Sequence, residues 1–199
     1  VPGYSKAITF RMLLTHTSGI DDGRVMDDHY YYGQDSPIEL GFFLENYLST
    51  GGQYYDANDN FHDFRPGSQH EYSNIGNALI GHLVEVISGE DFDTYCEENI
   101  FEPLAMENTY WRLADIPGVI VQPYNYRRRD YEKVEHYTFT DYPNGGLRST
   151  AKDLHQLLKA FMNGGQANNY QLLTAATIDM MLTPQIPNLD NTMGLHLFI

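Results

Sequence analysis

The chain has 199 residues, 42% of them hydrophobic and 20% charged, with 12 Lys and Arg against 27 Asp and Glu, a formal charge of −15. This length suggests one domain or a large part of one, and the composition is that of an ordinary globular chain. A surface this acidic repels a phosphate backbone, which argues against a nucleic-acid partner. No run approaches the length of consecutive apolar residues that a membrane span needs, and the single cysteine, Cys96, excludes an internal disulfide.

In chain order, TFRMLLT predicts a short helix over Thr9 to Thr15 capped by Thr9, followed by a turn at HTSGI. VPGYSKAITF runs into it with no initiator Met and no signal peptide, giving the expectation that further sequence precedes it. Ser36-Pro37-Ile38-Glu39 combines a capping box with Pro at the first helical position. The helix it opens should carry Ile38, Phe42, Leu44 and Leu48 toward Thr50 and stop at Gly51-Gly52. Tyr54 to Gly67 reads as a polar loop. Asn74 to Ser88 (NIGNALIGHLVEVIS) is apolar over a wide arc and predicts a buried helix ended by Gly89. Asp91 starts another helix through Phe101. Val119–Tyr126 and Tyr131–Phe139 predict a hairpin around RRRD. Ala151 to Met162 predicts a helix ended by Gly164-Gly165, Thr174 to Leu182 a last helix, and Gly194 to Ile199 (GLHLFI) a strand.

Several candidate sites fall away on spacing. Asp56, Asn58 and Asn60 match the first ligand positions of a calcium loop, but Phe61 replaces the required Gly and Gly67 the bidentate Glu. The eight His residues form no H-x-x-x-H or H-x-H pair of the kind zinc uses. No metal and no cofactor are therefore expected. Cys96, in the acidic stretch YCEEN, reads as structural, because neighbouring carboxylates disfavour a thiolate.

RSTAKDL spells S-x-x-K at Ser149 and Lys152, the nucleophile signature of serine β-lactamases. On a helix from Ala151, however, Leu154, Leu157, Leu158 and Phe161 form the apolar stripe, and Lys152 lies roughly 160° from Leu154, toward solvent. A catalytic Lys must be buried beside its serine to be tuned. Thr150 and Asp153 also make a T-x-x-D capping pair, so Ser149 reads as a residue at a helix entrance.

The stronger signal is Tyr72-Ser73-Asn74 at the mouth of the buried helix. ITFRMLLTHTSGI, PGSQHEYSNIGNALIGHLVEVISG, IFEPLAMENTYW and YPNGGLRSTAKDLHQLLKAFMNGG follow in this order. Together they resemble the β-lactamase-related serine hydrolases, the family of class C β-lactamases, D-alanyl-D-alanine carboxypeptidases, penicillin-binding proteins, D-aminopeptidases and type VIII esterases. The resemblance runs from Ile8 to about Ile199.

The resemblance implies a mainly α chain with a small β-hairpin: the helical region of that α/β fold, residues 1–199 forming a single partial domain. It implies a start after the nucleophile helix and an end within a sheet strand, before the K-T-G or H-x-G element. It places the S-x-x-K nucleophile upstream and makes Ser149 structural. The implied chemistry is acyl transfer through a serine ester on a lactam, D-alanyl peptide or ester carbonyl. Tyr72 exchanges protons with the serine and the leaving group, helped by a nearby cationic Lys that lowers its pKa. Asn74 holds the lysine or the substrate carbonyl. Ser73, Gly145 and Gly146 are placed at the substrate, whereas His16 and Gly19 read as turn-forming residues. The implied partner is a small molecule or a peptidoglycan-type peptide, in the periplasm or outside the cell. A non-catalytic homologue that binds such peptides or a protein partner stays open as the second class.

Overall fold

The structure, a computed structural model, describes residues 1–199. Helix α1, Phe10–Leu14, begins where the Thr9 hydroxyl accepts the Met12 N–H at 3.3 Å. Helix α3, Asn74–Ser88, begins where the Ser73 hydroxyl accepts the Gly76 N–H at 2.8 Å, and it ends at Gly89 in the left-handed region. Helix α4, Phe92–Cys96, runs on through a wider π-type turn to Phe101, spanning the expected length. Thr150 and Thr174 cap α5, Ala151–Met162, and α6, Ala175–Met181, in the same way.

Two apolar clusters hold these helices together. The first joins Leu13 of α1, Ile20, Phe43, Leu44 and Tyr47, Ile75 and Ala78 of α3, and Tyr142. The second joins Cys96, Phe101, Leu104, Met106, Ala160 of α5 and Ala167. Burial pushes the Cys96 thiol up to about 11, in keeping with a structural residue. The Tyr142–Asn144 turn rests directly on α3. A Cβ at Gly81 would lie 2.6 Å from Pro143, so the small residue permits this approach.

Four expectations need correction. Helix α2 spans Leu40–Leu48, starting three residues after Pro37. The Ser36 hydroxyl accepts the Ile38 N–H at 3.1 Å and pairs with Thr140, making a local turn where a helix cap was expected. The inward face of α2 is accordingly Leu40, Phe43, Leu44 and Tyr47, and Phe42 is exposed.

The predicted second strand divides. Strands β2, Tyr124–Arg127, and β3, Asp130–Lys133, form a hairpin whose tip residues Arg128 and Arg129 both have positive φ, the two-residue turn that matches strand twist. It is exposed on both faces, so no burial extends it. Tyr137–Phe139 instead forms β4, which pairs antiparallel with β1, Tyr30–Tyr32, and buries Thr138. A third ladder joins Gln166–Ala167, β5, to Tyr170–Gln171, β6.

Helix α5 turns a different face inward than its leucine stripe predicts. Asp153 and Ala160 are buried, while Leu154 and Leu158 are 42% and 60% exposed. The Asp153 carboxylate accepts the Asn108 N–H at 2.7 Å and the Thr109 hydroxyl at 2.9 Å, and these bonds set the rotation of the helix.

The Gly194–Ile199 segment is a closed turn. Gly194 donates its N–H to the Leu197 carbonyl and Ile199 to that of Thr192, leaving a single bridge between Met193 and Phe198. In the polar loop, Asp56 accepts the Asn58 N–H, and the Asn60 amide donates to the carbonyls of Tyr47 and Tyr54. These side chains are engaged by the chain itself. No group of three His, Cys, Asp or Glu is placed to hold a metal ion anywhere in the molecule.

Candidate active site

The turn after α1 delivers two groups to the mouth of α3. His16 and Gly19 both take positive φ, and the chain reverses so that the His16 ring and the Asp22 carboxylate face Tyr72-Ser73-Asn74. His16 is 4% exposed, its ring centroid lies 4.5 Å from that of Tyr72, and its Nδ1 accepts the Ser73 N–H at 3.3 Å. Accepting at Nδ1 requires an unprotonated nitrogen there. Burial pushes His16 down to about 4, which keeps it neutral, with His196 and His70 adding to the shift.

Asp22 occupies the N-terminus of α3. Its carboxylate accepts the Asn74 N–H at 3.0 Å, the Ile75 N–H at 3.0 Å and the Asn74 side-chain amide at 2.8 Å, with the Ser73 hydroxyl at 3.4 Å. A carboxylate is well placed among the free N–H groups and positive dipole of a helix start. The consequence is geometric: one N–H of the Asn74 amide is taken by Asp22, which orients the amide with its oxygen free for another partner.

Each predicted site residue has a distinct place. Tyr72 is 50% exposed, and its hydroxyl accepts the Asn77 amide at 3.3 Å from one turn into α3. Asn74 and Gly145 line one cleft of about 480 Å³, together with Asp22, Arg24, Asp27, Tyr30, Tyr137, Phe139, Asp141 and Asn144. Ser73 is 1% exposed, and its hydroxyl is committed to the helix cap and Asp22. Gly146 is buried against Tyr142, whose carbonyl accepts its N–H at 2.7 Å. The structure therefore brings Asn74 and Gly145 to one cleft wall, with Ser73 and Gly146 behind it as support.

Ser149 and Lys152 belong elsewhere. The Ser149 hydroxyl pairs with Thr109 at 2.8 Å, within the Thr109–Asp153 network, and Lys152 is exposed. A second cavity of about 460 Å³, lined by Phe10, Leu13, Ile20, Leu79 and Leu83 among others, carries no carboxylate, histidine or lysine side chain. Sequence reasoning missed Asp22 and Asn77 and gave His16 only a role in the turn. The available signals were a carboxylate shortly after HTSG and a polar residue one turn beyond Asn74 in the apolar first half of the helix.

Comparison with known proteins places the chain in a family. The crystal structure of penicillin-binding protein from Bacillus halodurans superposes with a TM-score of 0.71 at 25% identity, covering 96% of this chain and 56% of that one. An Escherichia coli O157:H7 protein provisionally named as a D-alanyl-D-alanine carboxypeptidase is 30% identical over 156 residues, 67% of this chain and 35% of its own length. N-acetylmuramyl-L-alanine amidase of Bacillus subtilis (strain 168) is 26% identical over 144 residues, 61% of this chain and 33% of its own length. The chain thus spans about a third of these curated relatives. The family model described as Beta-lactamase matches residues 1–197, so the chain belongs to the Beta-lactamase family, with the mainly helical architecture expected of part of that fold.

Proposed function

We propose that this chain supplies the tyrosine–asparagine element of a serine hydrolase that works through an acyl-enzyme on a β-lactam, D-alanyl peptide or ester. The observation that carries the proposal is the mouth of α3. There the half-exposed Tyr72 has its hydroxyl held by Asn77 and its ring packed on His16, and Asn74 is held by Asp22 at the edge of a cleft. The names of the relatives, a carboxypeptidase and an amidase, point to amide carbonyls of the bacterial cell wall as substrates.

In this reading the nucleophilic serine lies outside Val1–Ile199. It attacks the carbonyl, and backbone N–H groups hold the developing oxyanion. The Tyr72 oxygen takes the serine proton and returns it to the leaving group. Its ring is held by the neutral His16, which places no charge beside it at neutral pH. The Asn74 amide oxygen, turned away from Asp22, is available to a cationic lysine or a substrate N–H.

The test is covalent labelling of the full-length protein that contains this chain, using a fluorescent penicillin and a fluorophosphonate. One label per molecule, on a serine outside Val1–Ile199, is the expected result. A label on Ser149 would move the nucleophile into this chain, and no label with either reagent would favour a peptide-binding homologue without catalysis.

A further inference from the structure

The β2–β3 hairpin has no part in the site described above, and its charge runs against that of the molecule. Four of the chain's 12 Lys and Arg, namely Arg127, Arg128, Arg129 and Lys133, fall within Tyr124–Lys133. None of them joins any of the molecule's five ion pairs. Arg128 and Arg129 form the two-residue turn, with φ of 51° and 68°. Such turn positions ordinarily go to Asn and Gly, which adopt this backbone with less strain. The tip therefore carries two cations where neither is the residue that the turn favours.

The two faces of the hairpin differ in chemistry. Cross-strand partners share a face, as do residues two apart along one strand. Tyr124 pairs with Lys133 and Tyr126 with Tyr131, so one face carries three tyrosines and a lysine and no carboxylate. The Tyr126 and Tyr131 rings lie 5.1 Å apart and are 64% and 70% exposed. The other face carries Asn125, Glu132, Arg127 and Asp130. At the base, the Val134 N–H donates to the Pro123 carbonyl at 2.9 Å and the Gln122 amide to the Val134 carbonyl at 2.6 Å, which holds the two strands in register. Strands β2 and β3 pair only with each other, and every residue in them is exposed.

A tyrosine face that ends in arginines suits the boundary of an anionic membrane. Tyrosine rings settle at the level of lipid headgroups, and Lys and Arg are drawn to anionic lipid. The hairpin lines neither cavity described above, and a free-standing ribbon offers a partner no concave seat. A folded protein partner needs about 800 Å² of complementary surface on each side, whereas a lipid surface yields around a projecting tip. The formal charge of −15 opposes such contact for the body of the molecule. Four residues of strand, however, carry the tip about 13 Å from the base of the hairpin. Charge is screened over about 8 Å in physiological salt, so the tip meets the surface before the body does. We propose that the β2–β3 hairpin docks the protein on an anionic lipid surface, with Arg128 and Arg129 at the phosphates and Tyr124, Tyr126 and Tyr131 among the headgroups. This docking stands apart from the hydrolase reading and does not depend on it.

The experiment sediments the full-length protein that contains this chain with vesicles of phosphatidylglycerol mixed equally with phosphatidylcholine, and with vesicles of phosphatidylcholine alone. The expected result is binding to the anionic vesicles about tenfold or more stronger, a preference lost in about 1 M salt. Arg128→Asn with Arg129→Gly installs the turn that hairpins favour, so the fold is kept while two cations are removed. It should take away most of the preference, at about fivefold per cation near the membrane. Lys152→Gln with Lys159→Gln removes the same charge from exposed positions on α5 and should leave the preference intact. Tyr131→Thr, at an exposed strand position, should weaken binding by about threefold as part of one ring leaves the interface. Equal binding to the two vesicles, an undiminished preference in the tip variant, or the same loss in the α5 variant overturns the proposal. Full binding by Tyr131→Thr overturns the part assigned to the tyrosines. Retention of polyglutamate by the tip, with no binding of vesicles, would assign the surface to an acidic protein and overturn the lipid.

Discussion

The entrances of α3 and α5 look alike in sequence and differ in use. Both follow a short hydroxyl-bearing cap, and both spell part of a serine-hydrolase signature: Tyr72-Ser73-Asn74 at one and Ser149 with Lys152 at the other. At α5 the signature serine is consumed by the chain. Ser149 bonds Thr109, Thr109 bonds Asp153, Asp153 also takes the Asn108 N–H, and Lys152 points to water. At α3 the buried His16 and Ser73 and the half-buried Asp22 hold two others that remain presented, the Tyr72 hydroxyl and the oxygen of the Asn74 amide. A signature residue can act when its neighbours fix it and leave one polar atom unspent. When they bond all of it, the residue is part of the scaffold.

The comparison is broken most severely by removing the carboxylate that organises α5. Asp153→Ala would leave the Asn108 N–H unpaired and take from the Thr109 hydroxyl one of its two partners, in a site where Asp153 is 1% exposed. The expected loss is about 3 kcal/mol of unfolding free energy in urea titration. A loss below about 1 kcal/mol, the net worth of one ordinary hydrogen bond, would show that this network does not hold the entrance.

Asp141 is expected to respond in the other direction. Its folded pKa of about 7 stands above the ordinary 3.8, so the native state holds a proton that the unfolded chain releases between these values. Stability from this group is full below pH 3.8 and is lost as pH rises to 7. Asp141→Asn should therefore stabilise the fold at pH 8 by about 2 kcal/mol and change it little at pH 4. Parallel denaturant titrations at the two pH values check the sign. His16 shifts the opposite way: pushed from 6.5 down to about 4, it withdraws stability as pH falls through that window.

A smaller effect separates the anchoring of the two entrances. Asp22→Asn keeps the shape but removes the charge at the start of α3 and one or more of its accepted bonds. It should cost about 1–2 kcal/mol. It should also loosen the Asn74 amide, visible as broadening of its side-chain NMR signals. An unchanged amide would mean that Asp22 does not position Asn74.

Much of this was legible in the sequence, because helix starts and stops are local. Thr9 and Thr150 announce caps, Gly89 announces a C-terminus, and the apolar arc from Asn74 to Ser88 predicts α3 to the residue. What failed was decided by distant partners. Ser36 reads as a cap until Thr140, far along the chain, takes its hydroxyl. The leucines of α5 read as its core face until Thr109 and Asn108 draw Asp153 inward. Strand β1 has no alternation to betray it, because Tyr30-Tyr31-Tyr32 gains its partner only when β4 arrives. At the site, Tyr72 and Asn74 could be named from their motif. Asp22, Asn77 and the tilted contact of His16 with Tyr72 become visible only once the turn after α1 is folded against α3.

The central claim is that the α3 entrance acts and the α5 entrance supports. The direct measurement is the acylation rate of the full-length protein by a fluorescent penicillin, or by an ester if that is the better reagent, for Tyr72→Phe and Ser149→Ala side by side. Tyr72→Phe should lower the rate by about 10²–10⁴, the scale of a general acid–base group, with little change in stability. Ser149→Ala should leave the rate within about twofold and cost at most about 1 kcal/mol of stability, the scale of a helix-end side chain. An unchanged rate in Tyr72→Phe, or abolished acylation in a folded Ser149→Ala, would contradict the account.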